Sequence, residues 1–172
     1  MASRPSIDAY MMGIAMMAAS RATCIRRAVG CVLTNRLHHI IATGYNGVPR
    51  GMVHCGVKPC PGAHAPSGQS LDACMATHAE QNALLQCKDV EEIETAYVTA
   101  QPCITCTKLL LNTGCKNIVF LEPYPHEMAL SLWNDAGRHM SMLSTDALVE
   151  LHELFRMQSG RSHRALTTLQ MG

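Results

Sequence analysis

The 172-residue sequence predicts one α/β domain of three layers, with helices on both sides of a mixed sheet. Three observations lead there. Two strand-like runs near the start are joined by the short turn Arg36-Leu37-His38, which reads as a hairpin. After them, strand-like and helix-like segments alternate. Hydrophobic residues make up 48% of the chain, enough to bury a core, and the length suits one domain rather than two.

Taken in order, Ser6 is placed to cap a first helix that runs to about Ala22, with Tyr10, Ile14 and Met17 at helical spacing on one face. Residues 29–35 and 39–45 are the hairpin strands. From Asn46 to about Met75 proline and glycine recur, so regular structure is not expected, and a loop of that length needs a reason to be ordered. Thr77 is the expected cap of a second helix over 78–87, with Ala83 and Leu84 turned inward. A strand over 96–99 follows, then a helix over 103–112 that Gly114 stops, then a strand over 117–121. A helix over 128–136, a short strand over 140–143 and an amphipathic helix over 146–157 complete the domain, bounded at 1–158. Residues 159–172 form a tail without a recognisable pattern.

Composition narrows the function. A formal net charge of +1 argues against a surface built for nucleic acid, although a single phosphate needs only one or two local cations. No apolar run approaches the roughly 20 residues that span a bilayer. The methionine-rich start is interrupted by polar residues and has no cleavage signal, so a cytoplasmic location is expected. Nine cysteines, an odd number, cannot all pair within one chain. Without a secretory signal they point to metal binding or catalysis.

The informative residues are His78-Ala79-Glu80 and Pro102-Cys103-Ile104-Thr105-Cys106. Alone, a Cys-x-x-Cys after a strand suits a thioredoxin-like redox pair or half of a structural zinc site equally well. Together, in this order, the two segments carry the signature of zinc-dependent deaminases. Catalytic zinc takes three protein ligands and leaves a fourth position for water, whose pKa it lowers to about 7. Cys103 and Cys106 lie one helical turn apart, and His78 supplies the third ligand. Glu80 is the expected catalytic residue, taking a proton from the water, passing it to ring N3 and then protonating the leaving amine. Both segments fall at predicted helix starts, where the positive dipole end favours thiolates. Pro102, lacking an N–H, is placed to begin its helix.

Beyond these segments, Val29-Gly30-Cys31-Val32, Thr43 to Pro49 (Thr-Gly-Tyr-Asn-Gly-Val-Pro), Gln81-Asn82-Ala83 and Tyr97-Val98-Thr99 strengthen a resemblance over about residues 5–125. There the chain resembles the deoxycytidylate deaminase family, within the cytidine deaminase-like superfamily. The resemblance implies a five-stranded mixed sheet and hydrolysis of dCMP to dUMP and ammonia, which supplies thymidylate synthesis. It implies a homohexamer activated by dCTP and inhibited by dTTP, each with Mg2+, near Gly44, Tyr45, Asn46 and Gly47. It places Asn46 and the backbone N–H of Ala79 against the pyrimidine, and Arg26 and Tyr124 at the 5′-phosphate. Read as residues alone, Gly-Tyr-Asn-Gly is an ordinary turn sequence and Arg26 a solvated cation. Two rivals follow from the shared motif: a deaminase of another cytosine or adenine substrate, and a non-catalytic zinc-binding protein of the same fold.

The insert between the second strand and the second helix holds Cys55, Cys60 and Cys74, with His64 nearby, and Cys24 precedes the first strand. Some members of the resembled family use positions matching Cys24 and Cys55 for a structural zinc. Four thiolates, or His64 in place of Cys74, would staple a segment poor in apolar residues. Free thiols in a reducing cell are the alternative. Cys31, Cys87 and Cys115 fall within predicted elements and are expected in the core.

Overall fold

The computed structural model describes residues 4–66, 69–124 and 127–156. Helix α1 (Ile7–Ala19) precedes strands β1 (Gly30–Thr34) and β2 (Ile40–Tyr45). The chain then builds α2 (Ala79–Gln86), β3 (Thr95–Ala100), α3 (Ile104–Leu111), β4 (Asn117–Glu122), α4 (Glu127–Asp135) and β5 (His139–Met142). Residues 145–156 are helical as well, and the tail at 159–172 lies outside the described residues. The strands form one sheet in the order β2-β1-β3-β4-β5. β1 runs antiparallel to β2 and β3, whereas β3, β4 and β5 are parallel, so the sheet is mixed and five-stranded.

Two cores flank it, as three layers require. On one face Ala79 and Ala83 of α2, Leu110 of α3 and Trp133 of α4 pack on Cys31, Leu33, Val98 and Ile118. On the other, Met12 and Ala15 of α1 and Leu151 pack on Val32 and Tyr97. No helix among the described residues is long and apolar enough to cross a membrane.

Local details differ from the sequence expectations for physical reasons. Ser6 does cap α1, accepting from the Ala9 N–H. The stripe of Tyr10 and Met17 nevertheless faces outward, 47% and 61% exposed, and Ala9, Met12 and Ala15 are buried instead. A Cβ on Gly30 would stand 1.9 Å from the Ala15 carbonyl oxygen, so α1 lies too close to β1 for larger side chains at that contact. The cap of α2 is His78, not Thr77; Gln81 accepts the His78 N–H at 2.8 Å, and Thr77 instead bridges to Gly47. Cys103 caps α3, which places Pro102 before the cap rather than inside the first turn, and α3 ends on Asn112 ahead of Gly114. Cys31 and Cys115 are buried, while Cys87 is only half-buried against the core.

A second close approach positions the chemistry. Gly44 of β2 lies under α2, where a Cβ would meet the Ala79 carbonyl oxygen at 2.2 Å and the Ala83 nitrogen at 2.5 Å. Both obstacles are backbone and cannot swing aside. Gly44→Ala is therefore expected to destabilise the fold by about 3 kcal/mol, read as a lowered midpoint in denaturant unfolding. A midpoint equal to the parent's would mean that α2 is free to ride outward.

Candidate active site

The chain leaves β3 through Gln101 and Pro102 and starts α3 at Cys103, while α2 begins at His78. Both helices therefore present their N-termini to the same point. The ligand atoms of His78, Cys103 and Cys106 all lie within 4.8 Å of one another. His78 Nδ1 is 3.5 Å from Cys103 Sγ and 3.4 Å from Cys106 Sγ. With Zn–N and Zn–S bonds of about 2.0 and 2.3 Å, a tetrahedral N–S edge is about 3.5 Å, so the triad already has the span of a zinc tripod. All nine cysteines are free thiols in the structure, Cys103 and Cys106 among them.

The electrostatics agree with that donor set. The Cys106 side chain hydrogen-bonded to Cys103 holds the Cys103 thiol down to about 4, against its burial and with help from His78. Cys106 is pushed up by the same shared hydrogen bond and by its own burial. Glu80 is 4% exposed, and burial raises its pKa, partly offset by its own backbone N–H and by His78. Cys106 also lowers it slightly, which puts the carboxylate beside the triad without making it part of it.

His78, Glu80 and Cys103 line a cavity of about 520 Å³. The sequence-predicted residues Arg26, Asn46, Ala79 and Tyr124 all line it. Asn46 is anchored: its Oδ1 accepts from the Val29 N–H at 2.8 Å and its Nδ2 donates to the Arg27 carbonyl at 2.7 Å. One amide hydrogen remains for a ligand. Arg26 donates to the carbonyls of Pro66 and Gln69 at 2.6 and 3.0 Å, so its positive charge has neutral partners. Arg27 also lines the cavity and pairs with Glu122.

The residues expected at an effector site have visible structural tasks. Gly44 admits α2, the Tyr45 carbonyl accepts from Asn82 at 2.7 Å, and Gly47 pairs with Thr77. The insert cysteines act on one another electrostatically: Cys55 and Cys74 help to lower the Cys60 thiol, and Cys60 and Cys24 help to raise that of Cys55. Their sulfurs do not converge as the triad does, which among the described residues is the one group meeting that spacing. His64 lines the cavity, as do Cys24 and Cys74. Sequence reasoning passed over Gln101, whose only signal was its place just before Pro102.

Residues 5–122 match the family described as the cytidine and deoxycytidylate deaminase zinc-binding region. The deoxycytidylate deaminase of Schizosaccharomyces pombe is 42% identical over 125 residues, covering 70% of this chain and 38% of the yeast protein. The chain likewise spans 39% of the Saccharomyces cerevisiae enzyme, so it matches well under half the length of either yeast relative. The deoxycytidylate deaminase of Mycobacterium phage D29 is 40% identical over 125 residues, covering 69% of this chain and 96% of the phage protein. In fold, the chain resembles a crystal structure of dCMP deaminase from the cyanophage S-TIM5, with a TM-score of 0.63 at 22% identity over 82% of this chain and all of that one.

The triad makes a direct prediction. Replacing Cys106 with alanine removes one corner of the tripod and should lower the zinc bound per chain by one, measured by elemental analysis of purified protein. The circular dichroism of the sheet and helices should persist. Equal zinc in parent and variant would remove Cys106 from the ligand set.

Proposed function

The chain belongs to the cytidine and deoxycytidylate deaminase zinc-binding family, and from that premise we propose that it hydrolyses dCMP to dUMP and ammonia. The observation that carries this reading is the buried carboxylate of Glu80 beside the His78–Cys103–Cys106 triad on the floor of the cavity. The identity to deoxycytidylate deaminases across most of the described domain supports dCMP over other cytosine or adenine substrates.

His78, Cys103 and Cys106 would hold the zinc, which when bound supplies a Lewis acid that acidifies water. Glu80 would take a proton from the attacking water and pass it to ring N3, then take the hydroxyl proton of the C4 adduct and give it to the amine, so that the C4–N bond breaks as the C4 carbonyl forms and ammonia leaves. Its burial-raised pKa suits a group that must both take and give a proton. Asn46 and the Ala79 N–H orient the ring, and Arg26 and Tyr124 hold the 5′-phosphate, with a guanidinium fork matched to a phosphate dianion.

Regulation belongs to the same proposal: dCTP with Mg2+ activates and dTTP with Mg2+ inhibits, at Gly44, Tyr45, Asn46 and Gly47. What supports this is that the loop touches α2 at Ala79 and Asn82 and pairs with Thr77 just before it, so a ligand there acts on the helix start that carries His78 and Glu80. We also propose a homohexamer in the cytoplasm, supplying dUMP to thymidylate synthesis. A second, structural zinc is proposed at Cys24, Cys55, Cys60 and Cys74, supported by the influence of Cys60 and Cys24 on Cys55 and of Cys74 on Cys60.

Ultraviolet absorbance and ammonia release with dCMP, deoxycytidine and cytidine test the reaction. Glu80→Gln should keep its zinc and lose at least about a thousandfold in kcat, because it removes the proton carrier and spares every ligand. A variant that loses zinc instead would give Glu80 a different role. Arg26→Gln should raise KM for dCMP about tenfold or more and leave deoxycytidine turnover near that of the parent. An unchanged KM would take Arg26 out of the phosphate site.

A further inference from the structure

Resting on the nucleotide-deaminase reading, we propose that Gln101 binds the substrate: its side-chain amide, braced through Oε1 on the backbone of Tyr124, offers its Nε2 hydrogens to an oxygen acceptor of the bound nucleotide. Gln101 is 9% exposed and lines the cavity with Glu80, Cys103 and Tyr124. Its Oε1 lies 3.2 Å from the Tyr124 N–H. A backbone N–H only donates, so the atom facing it must be the amide oxygen, and the orientation of the carboxamide is thereby fixed. Nε2 is the other end of that fixed group, and it has no partner among the described residues. Yet among the described residues no fully buried side-chain nitrogen or oxygen lacks one. Nε2 therefore opens onto the cavity, with both hydrogens available.

The placement suits a ligand contact. Gln101 N donates to the Glu122 carbonyl at 2.8 Å, and the Glu122 carboxylate pairs with Arg27, another residue of the cavity wall. Two residues on from Gln101 comes Cys103 of the triad. The amide shares the cavity wall with Cys103 of the triad and with Arg26 and Arg27, and with ring N3 taken by Glu80 a bound nucleotide offers it oxygen acceptors such as the base carbonyl or a phosphoryl oxygen. A side chain braced at one atom and open at two hydrogens loses little freedom on binding, which is what a positioned donor needs.

Two variants separate binding from bracing. Gln101→Glu keeps an oxygen for the Tyr124 N–H and removes both donors; Gln101→Met removes both functions. KM for dCMP should rise about tenfold or more in each, with zinc content and unfolding midpoint near the parent's. If the acceptor is phosphoryl, deoxycytidine turnover is unaffected by Gln101→Glu; if it is a base oxygen, both substrates lose equally. A Gln101→Glu enzyme with the parent's KM for both substrates overturns the proposal and leaves Gln101 as a brace only. A parent that holds zinc but turns over neither substrate counts against the deaminase reading. Gln101 is then judged by calorimetric titration with dCMP, where an unchanged Kd in Gln101→Glu overturns its role.

Discussion

Two helices bring their N-termini to one point, and the depth at which α2 sinks onto the sheet sets the distance between those termini. His78 sits at the start of α2 and Cys103 at the start of α3, and only side chains from both make the triad. The depth is controlled by small residues on each side of the contact. Gly44 leaves no Cβ beneath Ala79 and Ala83, which are themselves fully buried alanines. Any larger residue there would push His78 away from sulfurs that it meets at about the edge length of a zinc tetrahedron. The geometry of the chemistry is thus decided by a packing contact some distance from it.

The same convergence concentrates charge where water is scarce. His78, Glu80, Cys103 and Cys106 all share protons within a few ångströms, in an environment that penalises uncompensated charge. Among protein groups alone the conflict resolves unevenly: Cys103 is held ionised, Cys106 is pushed toward the thiol, and Glu80 rises. The helix N-termini favour the negative groups but supply only partial charges. A divalent cation lets both sulfurs ionise together. On the proposed mechanism, the burial that raises Glu80 would then serve proton transfer rather than merely cost stability.

Much of this was legible in the residues, because the decisive features are local in sequence. The hairpin strands, the alternation after them and the one-turn spacing of Cys103 and Cys106 all read correctly, since strand and helix periods are properties of short windows. The buried face of α1 did not. That helix carries apolar residues on every side, so periodicity could not choose between the Tyr10–Met17 stripe and the Ala9–Ala15 one; the closeness of Gly30 chose. Thr77 looks the better cap by residue type, but the Gln81 side chain reaching back to His78 shifts the helix start by one residue. The partners of Arg26 and Gln101 were beyond reach for a different reason. They are single hydrogen bonds between segments distant in sequence, and no periodicity encodes them.

The long insert shows how such unencoded bonds matter. Closing a loop costs entropy that grows only slowly with its length, so the pairing of Gly47 with Thr77 at its base can hold a long segment. Its interior still needs anchors. Within it Gly62 donates to the Ala73 carbonyl, Cys55 is fully buried near Cys60, and the Pro66 and Gln69 carbonyls hold Arg26. The insert in turn contributes Ala63, His64, Ala65 and Cys74 to the cavity wall. Arg26 is therefore shared, being at once a cation inside the cavity and the tie that keeps one wall in place. An anion that draws on its guanidinium must bind with those two carbonyl bonds or compete with them. Either way, the order of the insert and the occupancy of the cavity are linked through one side chain.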